Sequence, residues 1–319
     1  MTRLGLGASA IGGLFEPVSD ADGEAVVRSA LGFGMRYADT APLYGLGASE
    51  RRIGTALAGR PRDSFTISTK VGRLVRHEPS TYESLPEGMW HVPDALKPVL
   101  DYSRDGIRRS LSESLERLGL DRVDIAFVHD PDEVVDQAIG EALPALAELR
   151  DEGAVRAIGV GMSDTVALAR IVRSYPIDCV LVAGRFTLLD QSALTDLLPL
   201  CVDANVSVIV GGAFNSGILA DPSPGARFDY APAEPALVDR ARRIAAVCTE
   251  HGVPLPAAAL QFGLRHPAVQ TVLTGVRSVA ELATNVEYFD LEIHEDLWSE
   301  LSSLALIPLT TPLREEARA

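Results

Sequence analysis

Lysine is almost absent from this chain. Lys70 and Lys97 are the only two, and arginine supplies the remaining permanent cations. Cysteine is scarce as well. Cys179, Cys201 and Cys248 are odd in number, far apart and set in apolar sequence, which excludes a disulfide framework and a CxxC pair and predicts buried, reduced thiols in a cytosolic protein. No apolar run reaches membrane length, and the opening residues lack a basic segment followed by an apolar core, so the default location is the cytoplasm. Basic clusters are missing too: the net charge is -15, the pI is about 4.8 and the arginines are scattered, which makes nucleic acid and anionic membrane poor partners. There is no HExxH and no Cys/His cluster, and His77 and His91 lack ligand spacing, so no metal is expected. Without a GxGxxG after a strand, a YxxxK or a GxxxxGK, a Rossmann dehydrogenase and a P-loop enzyme are both disfavoured.

What is present is an alternation of short apolar runs with helical patterns. Strands are expected at Leu4 to Leu6, Tyr37 to Ala38, Phe65 to Thr69, Val123 to Val128, Val155 to Val160, Cys179 to Ala183, Val206 to Gly211 and Val269 to Leu273. Between them, helical periodicity covers Asp20 to Phe33, Glu50 to Ala58, Asp105 to Leu118, Val134 to Arg150, Thr165 to Val172, Gln191 to Ala204, Ala236 to His251, Pro256 to Leu264 and Val279 to Tyr288, with a tail helix at Glu295 to Leu304. Eight strand-helix units with nearly continuous apolar strands predict an α/β fold, a single (β/α)8 TIM barrel, as one domain over residues 1–319. The long insertion at 72–103 reads as a substrate lid carrying Arg73, Tyr82, Trp90 and Tyr102.

In such a barrel the C-terminal strand ends form the active face. Asp39, Lys70 and His129 each close a different strand, and Tyr44 lies in the Gly- and Pro-punctuated turn after the second. Singly they read as a turn cap, a solvated strand end, a core histidine and a surface phenol. Together they make a proton-transfer set. A free phenol has a pKa near 10; an adjacent ammonium would lower it, Asp39 would hold Lys70 charged, and His129 would hydrogen-bond a substrate oxygen. A lysine where arginine is the rule points to a need for a compact ammonium. Such a set interconverts alcohol and carbonyl, with hydride supplied by a cofactor whose phosphates belong near strands seven and eight, at Ala213 to Leu219 and Gly275 to Ser278.

The segments Asp39-Thr-Ala-x-x-Tyr44-Gly45, Ser49-Glu50, Ser68-Thr-Lys70-Val-Gly72 and Val128-His129-Asp130, in this order, resemble the aldo-keto reductase superfamily over nearly the whole chain. The resemblance implies Asp39, Tyr44, Lys70 and His129 as the catalytic tetrad, Tyr44 being the general acid or base. Within it, Phe127-Val-His-Asp-Pro-Asp132, Gly159-Val-Gly-Met-Ser163, Gly184-Arg-Phe-Thr-Leu-Leu-Asp-Gln191 and Gly211-Gly-Ala-Phe-Asn-Ser-Gly-Ile-Leu219 are similar to the aldose dehydrogenase branch. That implies oxidation of an aldose such as L-fucose or a D-threo-aldose at C1 to the lactone, with pyridoxal oxidation, general carbonyl reduction or a cofactor-sensing regulatory subunit as alternatives. It also assigns Phe214, Ser216, Gly217 and Leu219 to the pyrophosphate loop, Gly275, Arg277, Ser278, Glu281 and Asn285 to the adenosine end, Ser163 and Asp39 to the nicotinamide end, and Trp90 with Tyr44 and His129 to the substrate. A carboxylate at Glu281 favours NAD, with NADP as the alternative.

The chain departs from the superfamily at Gly161-Met162, where a Ser-Asn pair is usual, at Ala183 in place of Gln, and at Phe186 in the place given to a stacking Tyr. It also opens on the first barrel strand with no hairpin ahead of it, so either the start is cut short or another segment covers the barrel floor. Its oligomeric state is not legible.

Overall fold

The protein is described here by a computed structural model covering residues 1–91 and 95–308. Eight parallel strands close on themselves: β1 (Leu4–Gly7), β2 (Tyr37–Asp39), β3 (Thr66–Val71), β4 (Ile125–His129), β5 (Ala157–Met162), β6 (Cys179–Ala183), β7 (Ser207–Gly211) and β8 (Val269–Gly275). Each pairs with its neighbour in sequence, and Leu4 opposite Val272 joins β1 to β8 and completes the ring. The strands are apolar at almost every position because one face meets the barrel interior and the other the surrounding helices. Those two faces form separate cores. Tyr37, Ile125, Phe127, Cys179, Leu181, Ile209 and Leu273 fill the interior; the larger cluster lies between strands and helices.

The expected elements are all present, with shifts that have local causes. The helix expected from Val134 spans 135–151, but a π-turn at Ala138–Ala142 interrupts it. Pro144 lies just beyond, and a proline that lacks an N–H and crowds the preceding turn loosens the regular ladder there. The span expected to be one helix from Gln191 is a 3-10 turn, Ser192–Leu194, followed by Leu197–Asp203, because Asp196 between them leaves helical backbone (φ -139°). Cys179, Cys201 and Cys248 are free and buried, as expected.

The insertion at 72–103 is not an irregular loop. Arg73–His77 pairs antiparallel with Leu96–Leu100, forming a ribbon above the barrel; residues 92–94 lie outside the described part. A second short pair, Arg227–Phe228 with Ala231–Pro232, was not expected. At the opposite rim two carboxylates stitch strand beginnings together. Asp124 accepts from the Ile67 amide (2.8 Å) and from Arg62 (2.7 Å), and Asp178 accepts from the Ile158 amide and from Arg150, both at 2.9 Å. Among the described residues no helix is long and apolar enough to cross a membrane.

Two glycines on β5 face the interior for different reasons. A Cβ at Gly159 would lie 2.0 Å from the Cys179 carbonyl oxygen, whereas one at Gly161 would have its nearest neighbour at 3.5 Å. Gly159→Ala is therefore expected to destabilise the fold by about 3 kcal/mol, and Gly161→Ala by less than about 1 kcal/mol, in denaturant unfolding.

Candidate active site

The last inward positions of the eight strands are Gly7, Asp39, Lys70, His129, Gly161, Ala183, Gly211 and Gly275. Three adjacent strands carry ionisable side chains, and the other five carry nothing larger than a methyl group. Lys70 Nζ donates to Asp39 Oδ2 at 2.6 Å, to the Thr40 carbonyl at 3.0 Å and to Tyr44 Oη at 2.9 Å. The other carboxylate oxygen of Asp39 accepts from Ser68 Oγ at 2.7 Å, and Ser68 Oγ lies 2.8 Å from Tyr37 Oη. Asp39 and Lys70 are 2% and 1% exposed, so every charged atom of the pair is satisfied by protein.

The Tyr44 turn is held from below. Ser49 Oγ donates to the Ala8 carbonyl (2.9 Å) and lies 2.8 Å from Thr40 Oγ1, while the fully buried Glu50 accepts from Thr69 Oγ1 and Arg117 Nε, both at 2.6 Å. The Ser49-Glu50 pair thus fastens the turn to β1 and β3. Gly12 permits a close crossing: a Cβ there would lie 2.8 Å from the Tyr44 carbonyl carbon. Thr69 and Arg117 are anchors that the sequence reading did not find.

One electrostatic expectation is corrected. The Tyr44 phenol is held well above its usual pKa, by burial first and then by the Asp39 and Asp130 carboxylates, with Arg73 opposing. The Lys70 charge is already matched by Asp39 at 2.6 Å, so the ammonium reaches Tyr44 as a hydrogen-bond donor rather than as an unpaired positive field. Tyr44 is consequently a neutral phenol that accepts from Lys70 and has its own proton free to donate. His129 is held neutral, its pKa well below the usual histidine value, by burial and then by the Arg73 and Lys70 cations. Its ring meets the Tyr44 ring edge-on, centroids 5.9 Å apart.

Two residues expected in the substrate lid do something else. Tyr102 is buried and donates to the His129 carbonyl at 2.6 Å and the Asp130 carbonyl at 3.0 Å. Arg73 donates to the His129 carbonyl at 3.1 Å and to Asp130 Oδ2 at 3.2 Å, and is itself gripped by Glu83 at 2.8 and 3.0 Å. Both clamp the backbone of the residue that ends β4. Tyr82 is exposed, with Lys97 Nζ 5.4 Å from its ring centre. Trp90 alone of that group comes over the site. Pairing of the turn after β1 with residues 89–91 holds it there: Phe15 N donates to the Met89 carbonyl, His91 N donates to the Gly13 carbonyl, and Leu14 bridges to Trp90. The Trp90 ring centre is 5.8 Å from that of Tyr44. Trp90 Nε1 and His129 Nδ1 are buried polar atoms with no hydrogen-bond partner among the described residues.

The five small rim residues stand beside the four ionisable and phenolic groups. A Cβ at Gly7, Gly161 or Gly275 would make only ordinary contacts, nearest 3.5, 3.5 and 3.8 Å, whereas one at Gly211 would lie 3.2 Å from Leu181 Cδ2. Protein packing does not require glycine at the first three positions. Phe186 is not beside them; it is buried against Phe262 and His266, with ring centres at 5.1 and 5.8 Å. Phe214, half-buried just after β7, is the aromatic at that rim. Ser163, half-buried, follows β5 and makes no hydrogen bond through its hydroxyl among the described residues.

The segment after β7 has three consecutive left-handed residues, Asn215 (φ 44°), Ser216 (φ 61°) and Gly217 (φ 109°). Asn215 locks it by accepting from Thr187 Oγ1 and donating to the Gly184 carbonyl. Ser216 Oγ is engaged by the Tyr230 amide at 3.0 Å, and Leu219 is a core residue whose own amide bonds to the Phe214 carbonyl. The Leu219 side chain is therefore not at the mouth. After β8, Gly275 is exposed and Ser278 caps the helix Val279–Asp290 by accepting from the Glu281 amide. Glu281 reaches back to the Arg277 amide (2.9 Å) and guanidinium (3.3 Å), and Arg277 also pairs with Glu16 at 2.7 Å. The carboxylate that sequence offers to a ribose is thus engaged within the protein. Asn285 is tied to Thr274 Oγ1 at 2.8 Å.

Tyr102→Phe removes both bonds to the β4 end while keeping the ring in place. It is expected to lower kcat severalfold with little change in the unfolding midpoint, a split that steady-state kinetics and thermal melts will read.

The sequence profile of the Aldo/keto reductase family matches residues 3–305. A D-threo-aldose 1-dehydrogenase from Pseudomonas sp is 46% identical over 313 residues, spanning 96% of this chain and 94% of that enzyme. A pyridoxal 4-dehydrogenase from Microbacterium luteolum is 38% identical over 325 residues, spanning 96% and 95%. An L-galactose dehydrogenase from Arabidopsis thaliana is 32% identical over 314 residues, spanning 95% and 90%. Among solved structures, a glycerol dehydrogenase from Gluconobacter oxydans shares the fold with a TM-score of 0.75 at 23% identity, over 98% of this chain and 95% of that one. With a closed eight-stranded parallel barrel and a profile match over nearly its whole length, the chain belongs to the aldo/keto reductase family and is an NAD(P)-dependent oxidoreductase.

Proposed function

We propose that this enzyme oxidises an aldose, such as L-fucose or a D-threo-aldose, at C1 to the lactone, using NAD. The observation that carries the reading is the pair of buried polar atoms without partners among the described residues, Trp90 Nε1 and His129 Nδ1, on rings centred 5.8 and 5.9 Å from that of Tyr44. Buried polar groups are almost always paired, so two orphans at one mouth call for a ligand rich in hydroxyl groups. Similarity to the D-threo-aldose enzyme at 46% identity supports the same class.

The nicotinamide, when bound, supplies the hydride acceptor. We place its ring over Gly7, Gly161, Ala183, Gly211 and Gly275, with Ser163 and Phe214 beside it; Ser216, Gly217, Ser278 and the helix start at Val279 suit its phosphates. Asn285, Arg277 and Glu281 border the adenosine end. Tyr44 holds and moves the anomeric hydroxyl proton, His129 orients that oxygen as a neutral imidazole, and Lys70 stabilises the Tyr44 oxygen once it is ionised. A protonated phenol cannot take a second proton, so oxidation needs Tyr44 deprotonated first. Oxidation should therefore speed up as pH rises from neutral towards 9, and carbonyl reduction, which uses the phenol as donor, should slow.

The preference for NAD rests on charge. Glu16 and Glu281 set two carboxylates against the one cation of Arg277, an environment that disfavours a 2′-phosphate. A different cofactor preference would remove that argument without touching the chemistry.

Absorbance of reduced nicotinamide, with NAD or NADP and a panel of L-fucose, L-galactose, D-arabinose and pyridoxal, tests the reading. Reduction of NAD by a sugar is expected; turnover of pyridoxal alone would replace the substrate class. Tyr44→Phe is expected to lower kcat by about 10²- to 10⁴-fold, and full turnover in that variant would remove the proposed mechanism.

A further inference from the structure

Asp130, the residue after His129, enters the chemistry above only through its charge near Tyr44, and its geometry is unusual. Its backbone is left-handed (φ 42°), a region that residues other than glycine occupy at a cost and that recurs at ligand-binding sites. Three contacts hold it there. Its amide donates to the Gly161 carbonyl at 2.9 Å, its carbonyl accepts from Tyr102 at 3.0 Å, and Oδ2 accepts from Arg73 at 3.2 Å. The turn brings Oδ2 to 3.4 Å from His129 Nε2.

A purely structural role, in which the carboxylate fixes the His129 ring, leaves three features unexplained. Arg73 and His129 both address Oδ2, and Oδ1 has no partner among the described residues. The side chain is 37% exposed although the residues on both sides, His129 and Pro131, are buried, so it is reachable beside His129. A 3.4 Å contact is also too long for a firm orienting bond. Arg73, gripped by Glu83 on its other side, keeps the carboxylate from swinging away. If a substrate oxygen sits between Tyr44 and His129, the hydroxyl of the neighbouring carbon is the next donor along the substrate, and Oδ1 is the acceptor left free beside His129.

Resting on the aldose reading above, we propose that Asp130 is a specificity-determining residue. Its carboxylate accepts a hydrogen bond from the hydroxyl next to the reacting carbon and selects 2-hydroxylated aldoses over carbonyl compounds that lack this group. A bond to a charged acceptor discriminates more strongly than a neutral one, because the deoxy analogue leaves a partly desolvated carboxylate unpaired.

The test compares kcat/KM for L-fucose and 2-deoxy-L-fucose, and for L-galactose and 2-deoxy-L-galactose, in the unaltered enzyme, Asp130→Asn and Asp130→Gly. Asn and Gly both tolerate the left-handed backbone, so at least one variant is expected to fold; Asn gives its single carbonyl oxygen to Arg73 and leaves an amide facing the substrate. The unaltered enzyme should favour the hydroxylated sugar by about tenfold or more, and both variants should bring the ratio close to one by losing far more rate on the hydroxylated sugar than on its deoxy analogue, whatever common change the lost charge makes at Tyr44. Equal losses on both sugars would make Asp130 a support for His129 and overturn the proposal, as would an unchanged ratio. If the unaltered enzyme oxidises deoxy and hydroxylated sugars alike, this inference fails while the aldose reading stands; if it oxidises no aldose, both fail.

Discussion

The ion pair between Lys70 and Asp39, closed at 2.6 Å inside the barrel, is the interaction on which the site depends. Removing two charges from water is expensive, and their attraction repays that only when the remaining lone pairs and protons are also satisfied. Here they are. Lys70 spends its three donors on Asp39, Thr40 and Tyr44, and Asp39 receives Ser68 on its second oxygen. The register of β2 against β3, with Asp39 opposite Ser68, brings these groups together, so the chemistry is a property of strand pairing and not of a mobile loop.

The barrel divides its upper rim in two. Three neighbouring strands end in Asp39, Lys70 and His129, and five end in glycine or alanine. The first group can move a proton; the second is where we propose that the partner exchanging hydride binds. Lower in the barrel, Phe127, Leu181 and Leu273 fill the same inward rows, so the rim stands on a packed floor. The ribbon at 73–100 and the turn after β1 then roof the polar half: Arg73 and Tyr102 brace the end of β4, and Trp90 lies against Tyr44.

Much of this was legible in the chain because the decisive residues sit where strand periodicity ends. Asp39, Lys70 and His129 interrupt apolar runs at their C-terminal ends, and a barrel with one active face makes such positions converge. The residues that support them were harder to read. Arg73 and Tyr102 act through the His129 carbonyl, a backbone contact across the fold that no spacing in sequence encodes. Phe186 resembled a stacking aromatic but follows β6 into the core against Phe262. Glu281 followed a helix-capping pattern, Ser278-x-x-Glu281, and that local pattern prevails in the structure. The antiparallel ribbon is not legible because Pro98 and the charges around it mask strand character, and the Tyr44 pKa runs opposite to the expectation from Lys70 alone because the partner that neutralises Lys70 sits closer to it than the phenol does.

If the buried pair exists for chemistry, replacing both charges should spare the fold and abolish turnover. The double variant Asp39→Asn, Lys70→Met removes both ions without leaving one unpaired, and exchanging a buried pair for neutral groups is often close to neutral for stability. The most direct measurement is sugar-dependent NAD reduction by this variant, per folded molecule, beside its denaturant midpoint. The account predicts a midpoint near that of the unaltered protein and a kcat lower by at least about 100-fold. Retained turnover in a folded double variant would contradict it.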